Sequence, residues 1–100
     1  MKMKTIVAKI DKYVRANAGK KTYRRWYVGI ASDVEERLFN DHKVDRQNTG
    51  DWLYYKAKSC KAARRAEKRL HRLGFKGDSG GGHDGTDKVY AYKITSTTVQ

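Results

Sequence analysis

Three things are scarce in this chain, cysteine, acid and long apolar runs, and each shortage excludes a class of protein. Cys60 is the single cysteine in 100 residues. It cannot close an internal disulfide, and no Cys or His stands at zinc-ligand spacing from it, so a disulfide scaffold and a zinc-knit domain are both excluded. It sits at a helix start beside Lys61, but no histidine is placed next to it as a base, so a small, mostly buried helix residue is expected rather than a nucleophile. No stretch approaches the ~20 apolar residues of a membrane-spanning helix, and the opening MKMKTIVAKI runs into Asp11 and Lys12 before a signal core is complete. An intracellular, cytoplasmic protein is the expectation.

Asp and Glu number 11 against 23 Lys and Arg, which leaves a formal net charge of +12 and a sequence pI near 10.0. Solubility needs far less, so a polyanionic partner is expected, DNA first and RNA second. A merely solvated or ribosome-like basic surface satisfies the same arithmetic. The chain is otherwise that of a folded domain: 38% hydrophobic and 11% aromatic residues separate it from disordered sequences, and its length supports one core and one domain. No internal repeat or linker divides it.

Ile6, Val7, Ile10, Tyr13 and Val14 fall on one stripe at a period of 3.6 and predict a helix over residues 5–18 with Gly19 as its stop. WYVGIA, residues 26–31, is β-branched and aromatic and predicts a strand, with Trp26, Val28 and Ile30 on one face and Tyr27, Gly29 and Ala31 on the other. Ser32 and Asp33 are N-cap candidates, with Glu35 and Glu36 three residues beyond them, for a helix reaching about His42 and anchored by Val34 and Leu38. Residues 43–51 read as a loop and 52–59 as a second strand. A third helix follows, capped by Ser59 and closed by Gly74; Ala63, Ala66, Leu70 and Leu73 form its buried stripe, and Lys61, Arg64, Arg65, Lys68, Arg69 and Arg72 its opposite face. Residues 78–87 form a glycine-rich loop, VYAYKIT a third strand, and TSTTVQ a tail expected to fray. His83 and Asp84 lack a third ligand and do not make a metal site. The backbone amides of Gly80, Gly81 and Gly82 do not follow a strand and open a helix as a nucleotide-binding loop would, and flexibility is their expected role.

Within this frame Tyr27, Arg37, His42 and Glu67 are the residues with chemistry to offer. Tyrosine relays a proton, arginine neutralises charge on phosphate, and glutamate holds a divalent cation, a set that can hydrolyse a phosphodiester. Each also has an ordinary alternative: Tyr27 as packing, Arg37 paired with Asp33 or Asp41, Glu67 paired with Arg64 or His71.

YVG at 27–29, continued by IASDVEERL and by AARRAEKRL, resembles the GIY-YIG nuclease family, and GFKGDSGGGHDGTDKVYAYKI looks like the tail of small members from phages and bacteria. The resemblance covers roughly residues 24–94. It implies an α+β fold, a small three-stranded antiparallel sheet flanked by about three helices, and a single divalent metal, Mg²⁺ or Mn²⁺, assisting hydrolytic cutting of DNA. It places the family's arginine at Arg37 and its metal-binding glutamate at Glu67, and it implies a bacterial cell or phage-infected host as the setting. Gly29, beside Tyr27, would leave a phosphate room to approach. Glu67 lies about 80° from the centre of its helix's buried stripe at 100° per residue, where a ligand can reach a cleft.

The family's first element, Gly-Ile-Tyr, is missing from its usual place ahead of YVG; NAGKKTYRR stands there. Tyr23 is too near Tyr27, and Tyr13 lies in a helical pattern. VYAYKI is one replacement, a circularly permuted first strand in which Tyr90 or Tyr92 faces the surface that carries Tyr27. The other reading is that VYAYKI is the ordinary closing strand and the first tyrosine has been lost. The family often has His or Tyr four residues after the arginine; here Asp41 holds that position and His42 follows it, either as a catalytic residue or as a cap on helix carbonyls.

The sequence thus predicts an endonuclease, with Arg37 on the transition state, Glu67 on the metal, and Tyr27 with Tyr90 or Tyr92 positioning or deprotonating water. Arg64, Arg65, Lys68, Arg69 and Arg72 are expected to track phosphates. A catalytically silent nucleic-acid-binding module is the alternative, and a protein-interaction domain the third. A monomer or weak dimer is expected, with specificity supplied by a partner or a second copy.

Overall fold

The computed structural model describes residues 1–18, 23–77 and 85–100. The helix α1 (Met3–Ala18) leads through a short 3-10 turn (Tyr23–Arg25) into β1 (Trp26–Ala31); a π-helical segment (Glu36–Asp41), β2 (Trp52–Lys56), α2 (Cys60–Leu73) and β3 (Lys88–Lys93) follow. The result is the expected α+β domain, one antiparallel sheet of three strands with helices on both sides. Gly19 and the Gly80–Gly82, His83 and Asp84 segment lie outside the described residues. No helix among the described residues is long and apolar enough to cross a membrane.

Strand order is β1-β3-β2, so the last strand is the central one. Against β1 it pairs Tyr92 with Tyr27, Tyr90 with Gly29 and Lys88 with Ala31; against β2 it pairs Tyr92 with Trp52, Tyr90 with Tyr54 and Lys88 with Lys56. Because side chains alternate along a strand, these nine residues share one face of the sheet. The other face carries Trp26, Val28, Ile30, Val89 and Ala91 and packs against Ile6, Ile10 and Val14 of α1 and Ala62, Ala63, Ala66 and Leu70 of α2. Ile6, Ile10 and Val14 are fully buried, each worth about 1.5–3 kcal/mol of apolar transfer. Val34, Leu38 and Val44 cover part of the tyrosine face.

α2 is terminated as its sequence predicts. Ser59 Oγ accepts from the Ala62 amide at 3.1 Å, and Gly74, at φ 119°, turns the chain through the left-handed region that closes a helix. The buried stripe differs from expectation: Leu73 is exposed, while Ala62 and Glu67 are buried. The stripe is rotated toward the sheet edge at β1, which carries a carboxylate inward at the position the sequence placed on the rim. β2 ends at Lys56, three residues before the expected limit; the Ala57 amide continues the same register to the Asp87 carbonyl (2.7 Å), and the chain then turns into the Ser59 cap.

Two other expectations are corrected. The segment after Ser32 is capped by Asp33, whose Oδ1 accepts from the Glu36 amide at 3.1 Å, but it widens into a π-helix, with the His42 amide bonded to the Arg37 carbonyl five residues back at 2.9 Å. The tail does not fray. It folds as a Thr95–Thr98 turn, and the Val99 amide bonds the His42 carbonyl at 2.7 Å.

Candidate active site

A cleft of about 390 Å³ opens where the ends of β1, the π-helical segment and α2 meet. Tyr27 and Gly29 line it from β1, Tyr90 from β3, Glu36 and Arg37 from the π-helical segment, Glu67 from α2 and Thr86 from the approach to β3. Residues separated by up to 63 positions along the chain, Tyr27 to Tyr90, thus share one concavity.

Gly29 lines the cleft, but the space left by its missing side chain is filled rather than open. A Cβ there would overlap the Tyr90 phenol, which lies across β1 at that point, so the glycine makes room for a tyrosine of the neighbouring strand. Tyr90 is thereby placed with its hydroxyl on the cleft wall and its ring buried. Tyr27, 5% exposed, stacks on Tyr92 (centroids 5.1 Å, planes 21° apart) and on Tyr90 (6.4 Å, 18°). Both tyrosines of VYAYKI therefore face the surface that carries Tyr27, as the permuted-strand reading expected, but only Tyr90 reaches the cleft.

His42 lies behind Tyr90. A π turn holds one residue more than an α turn, so the fifth residue after Arg37 comes round to where an α-helix would put the fourth. The backbone amide of His42 caps the Arg37 carbonyl, while its ring, 5% exposed, is turned in among the tyrosines. Nδ1 is 2.7 Å from the Val99 carbonyl and 3.0 Å from the Tyr92 hydroxyl; Nε2 is 2.8 Å from the Tyr90 hydroxyl. A carbonyl only accepts, so the neutral ring carries its proton on Nδ1 and Nε2 accepts from the Tyr90 O–H. Tyr92 in turn donates to the Val99 carbonyl at 3.2 Å.

Burial first, and then the Tyr27 phenol and the Glu67 carboxylate, push the proton loss of Tyr90 well above the ordinary tyrosine range, against the opposing effect of Arg37. Tyr90 is accordingly a phenol at neutral pH. It can accept a proton from water only while passing its own to His42 Nε2. Arg37 salt-bridges Asp41 at 3.1 Å, with both side chains 47% exposed. A pair this exposed is worth about 0.3–0.5 kcal/mol, little enough to be exchanged for a phosphate. Burial works against the Arg37 charge, but the Tyr90 phenol and the Asp41 carboxylate more than offset it.

Glu67 is 6% exposed and presents a carboxylate to the cleft. Among the described residues no three His, Cys, Asp or Glu side chains are grouped to cage a metal ion. One hard oxygen ligand in an open cleft fits a hydrated Mg²⁺ or Mn²⁺, which keeps several waters and completes its shell with phosphate oxygens.

Thr86, buried beside the cleft, and the Val99 carbonyl were not foreseen: a lone threonine beyond a glycine-rich run and a main-chain oxygen in a polar tail carry no sequence signal. Arg64, Arg65, Lys68, Arg69 and Arg72 are exposed on the outer face of α2, adjoining the cleft through Glu67 but not lining it. No family model, no curated protein and no solved structure matches this chain.

Proposed function

We propose that the protein is a metal-assisted endonuclease of the GIY-YIG kind, hydrolysing DNA phosphodiester bonds in this cleft. The observation that carries the reading is the convergence of Tyr27, Tyr90, Arg37 and Glu67 on one open concavity, with His42 hydrogen-bonded behind Tyr90. Arg37 binds the scissile phosphate and stabilises the charge that builds on its oxygens. Water attacks phosphorus; its proton passes to the Tyr90 oxygen as the Tyr90 proton moves to His42 Nε2, so no free phenolate forms. The Val99 carbonyl, accepting from Nδ1–H, stabilises the imidazolium that results. Tyr27 packs the ring of Tyr90 in position, and the leaving oxygen takes a proton from solvent at the cleft mouth. Glu67 would hold Mg²⁺ or Mn²⁺, which when bound supplies positive charge to the phosphate and leaving oxygens.

Nicking of supercoiled plasmid with Mg²⁺ tests this. The wild type should cut; Arg37→Ala should fall by about 10²–10³-fold, as for loss of one oxyanion donor, and Glu67→Gln should be comparably impaired. Cutting by Glu67→Gln at the wild-type rate would reject the metal assignment. DNA binding by the wild type with no cutting under any divalent cation would favour the silent binding module, and no binding of DNA or RNA at low salt would favour a protein partner.

A further inference from the structure

We propose that Tyr54, with Lys56 and Lys88 beside it, is a stacking platform for one unpaired nucleotide of DNA next to the cleft. All 11 aromatic side chains lie among the described residues, and Tyr54, 42% exposed, is the one that is open to solvent. Elsewhere the rings are engaged. Tyr13 and Tyr23 donate to Gly50 and Asp11, Trp52 packs edge-on against Phe39, and Lys9 lies over Tyr55. Among the described residues the Tyr54 hydroxyl has no hydrogen-bond partner.

A single exposed aromatic is ordinary on a protein surface; its position and company make this one informative. The sheet register sets Tyr54 directly opposite Tyr90, on the same tyrosine-bearing face of the sheet, one strand spacing away, or about 4.8 Å. Two spacings separate it from Gly29 on the cleft floor. A nucleotide stacked on Tyr54 is therefore close enough to belong to the same strand as a phosphate held at Arg37. The next row of the same face is Lys56 opposite Lys88, two cations bridged by Asp87 at 3.9 and 2.8 Å. Two positive charges and one negative leave +1 beside the ring. An aromatic face flanked by ammonium groups is the combination that binds single strands, the base by stacking and the backbone by charge. A base in a continuous duplex has both faces covered by its neighbours and cannot take this place.

This inference rests on the nucleic-acid reading above and adds which DNA the cleft takes: single strands, flaps or frayed ends over uninterrupted duplex. Binding measured by fluorescence anisotropy without divalent cation tests it separately from cutting. Single-stranded and duplex oligonucleotides are compared on the wild type, Tyr54→Phe and Tyr54→Ala, with an abasic position walked along the single strand. One stacked base is worth about a factor of ten. Tyr54→Ala should lose about tenfold on single strands and little on duplex, Tyr54→Phe should bind like the wild type, and one abasic position should cost the wild type the same factor while leaving Tyr54→Ala indifferent. Equal losses on both DNA forms, or phenylalanine as damaging as alanine, overturns the platform. Because Tyr54 is exposed its variants should fold, and a matching melting temperature checks that they do. A wild type that never cuts while these effects persist rejects the nuclease and keeps the platform; cutting with no Tyr54 effect rejects the platform alone.

Discussion

At the scale of single residues, the proposed chemistry hangs on Tyr90. Its ring needs a missing side chain at position 29, and its hydroxyl needs a proton acceptor, which His42 Nε2 supplies at 2.8 Å. Its raised pKa has a measurable consequence for stability. The unfolded chain releases this proton near pH 10, while the folded chain holds it longer, so the stabilisation is complete below pH 10 and is lost as pH rises beyond it toward the folded value. The loss should run at up to about 1.4 kcal/mol per pH unit. Tyr13 and Tyr23 are raised too and contribute in the same sense, Tyr13 by burial and Tyr23 chiefly by its bond to Asp11. Urea midpoints followed from pH 8 to 11.5 should decline less steeply in Tyr90→Phe than in the wild type; parallel curves would place the alkaline transition on other groups.

At the scale of elements, two irregular pieces serve the site more directly than the regular ones. The π-helical segment brings His42 inward, and the C-terminal turn closes over it, giving the Val99 amide to the His42 carbonyl and taking the Nδ1 proton on its own carbonyl. The tail makes both contacts through its backbone, so substituting the side chain of Val99 does not remove them. Truncation after Thr98 should. It leaves the His42 carbonyl and Nδ1 to solvent or to Tyr92, at a cost of about 1–3 kcal/mol in a melt, and frees the ring to change tautomer. ¹⁵N spectra should show the Nδ1-protonated form dominant in the full chain and mixed tautomers in the truncated one, with cutting reduced in parallel. An unchanged tautomer would mean that Tyr92 alone fixes the ring.

At the scale of the whole molecule, the strand order and the charge decide what the fold presents. Placing the last strand in the middle of the sheet puts Tyr90 and Tyr92 between Tyr27 and the aromatic residues of β2, a continuous tyrosine-rich surface that no hairpin of neighbours in sequence would give. The net charge is +12, and among the described residues Arg65, Lys68, Arg69 and Arg72 stand exposed in a row along α2. If this face tracks phosphates, the logarithm of the affinity for duplex DNA should fall linearly with the logarithm of salt, and Arg65→Gln with Arg69→Gln should flatten the slope by about 1.8, at 0.9 per phosphate contact. Weaker binding at an unchanged slope would show that these arginines act through the fold rather than on the DNA.

The elements were largely legible in the sequence because each is set by local rules. Apolar spacing writes α1, Ser59 and Gly74 write the ends of α2, and β-branched and aromatic runs write the strands. Tyr27, Arg37 and Glu67 were singled out because YVG, IASDVEERL and AARRAEKRL resemble a known family's pattern, which their spacing alone would not have marked, and all three line one cleft. What sequence could not give was set by contacts between distant segments. The register that makes Gly29 a seat for Tyr90, the rotation of α2 that buries Glu67 and exposes Leu73, the extra residue in the turn before His42, and the carbonyl of Val99 on Nδ1 all follow from how three strands and their helices fit together. The sequence by itself determined which side chains were available and which elements would carry them. Only the tertiary structure decided which of them meet, because a sheet whose last strand lies at its centre brings together residues whose separation along the chain says nothing about their distance.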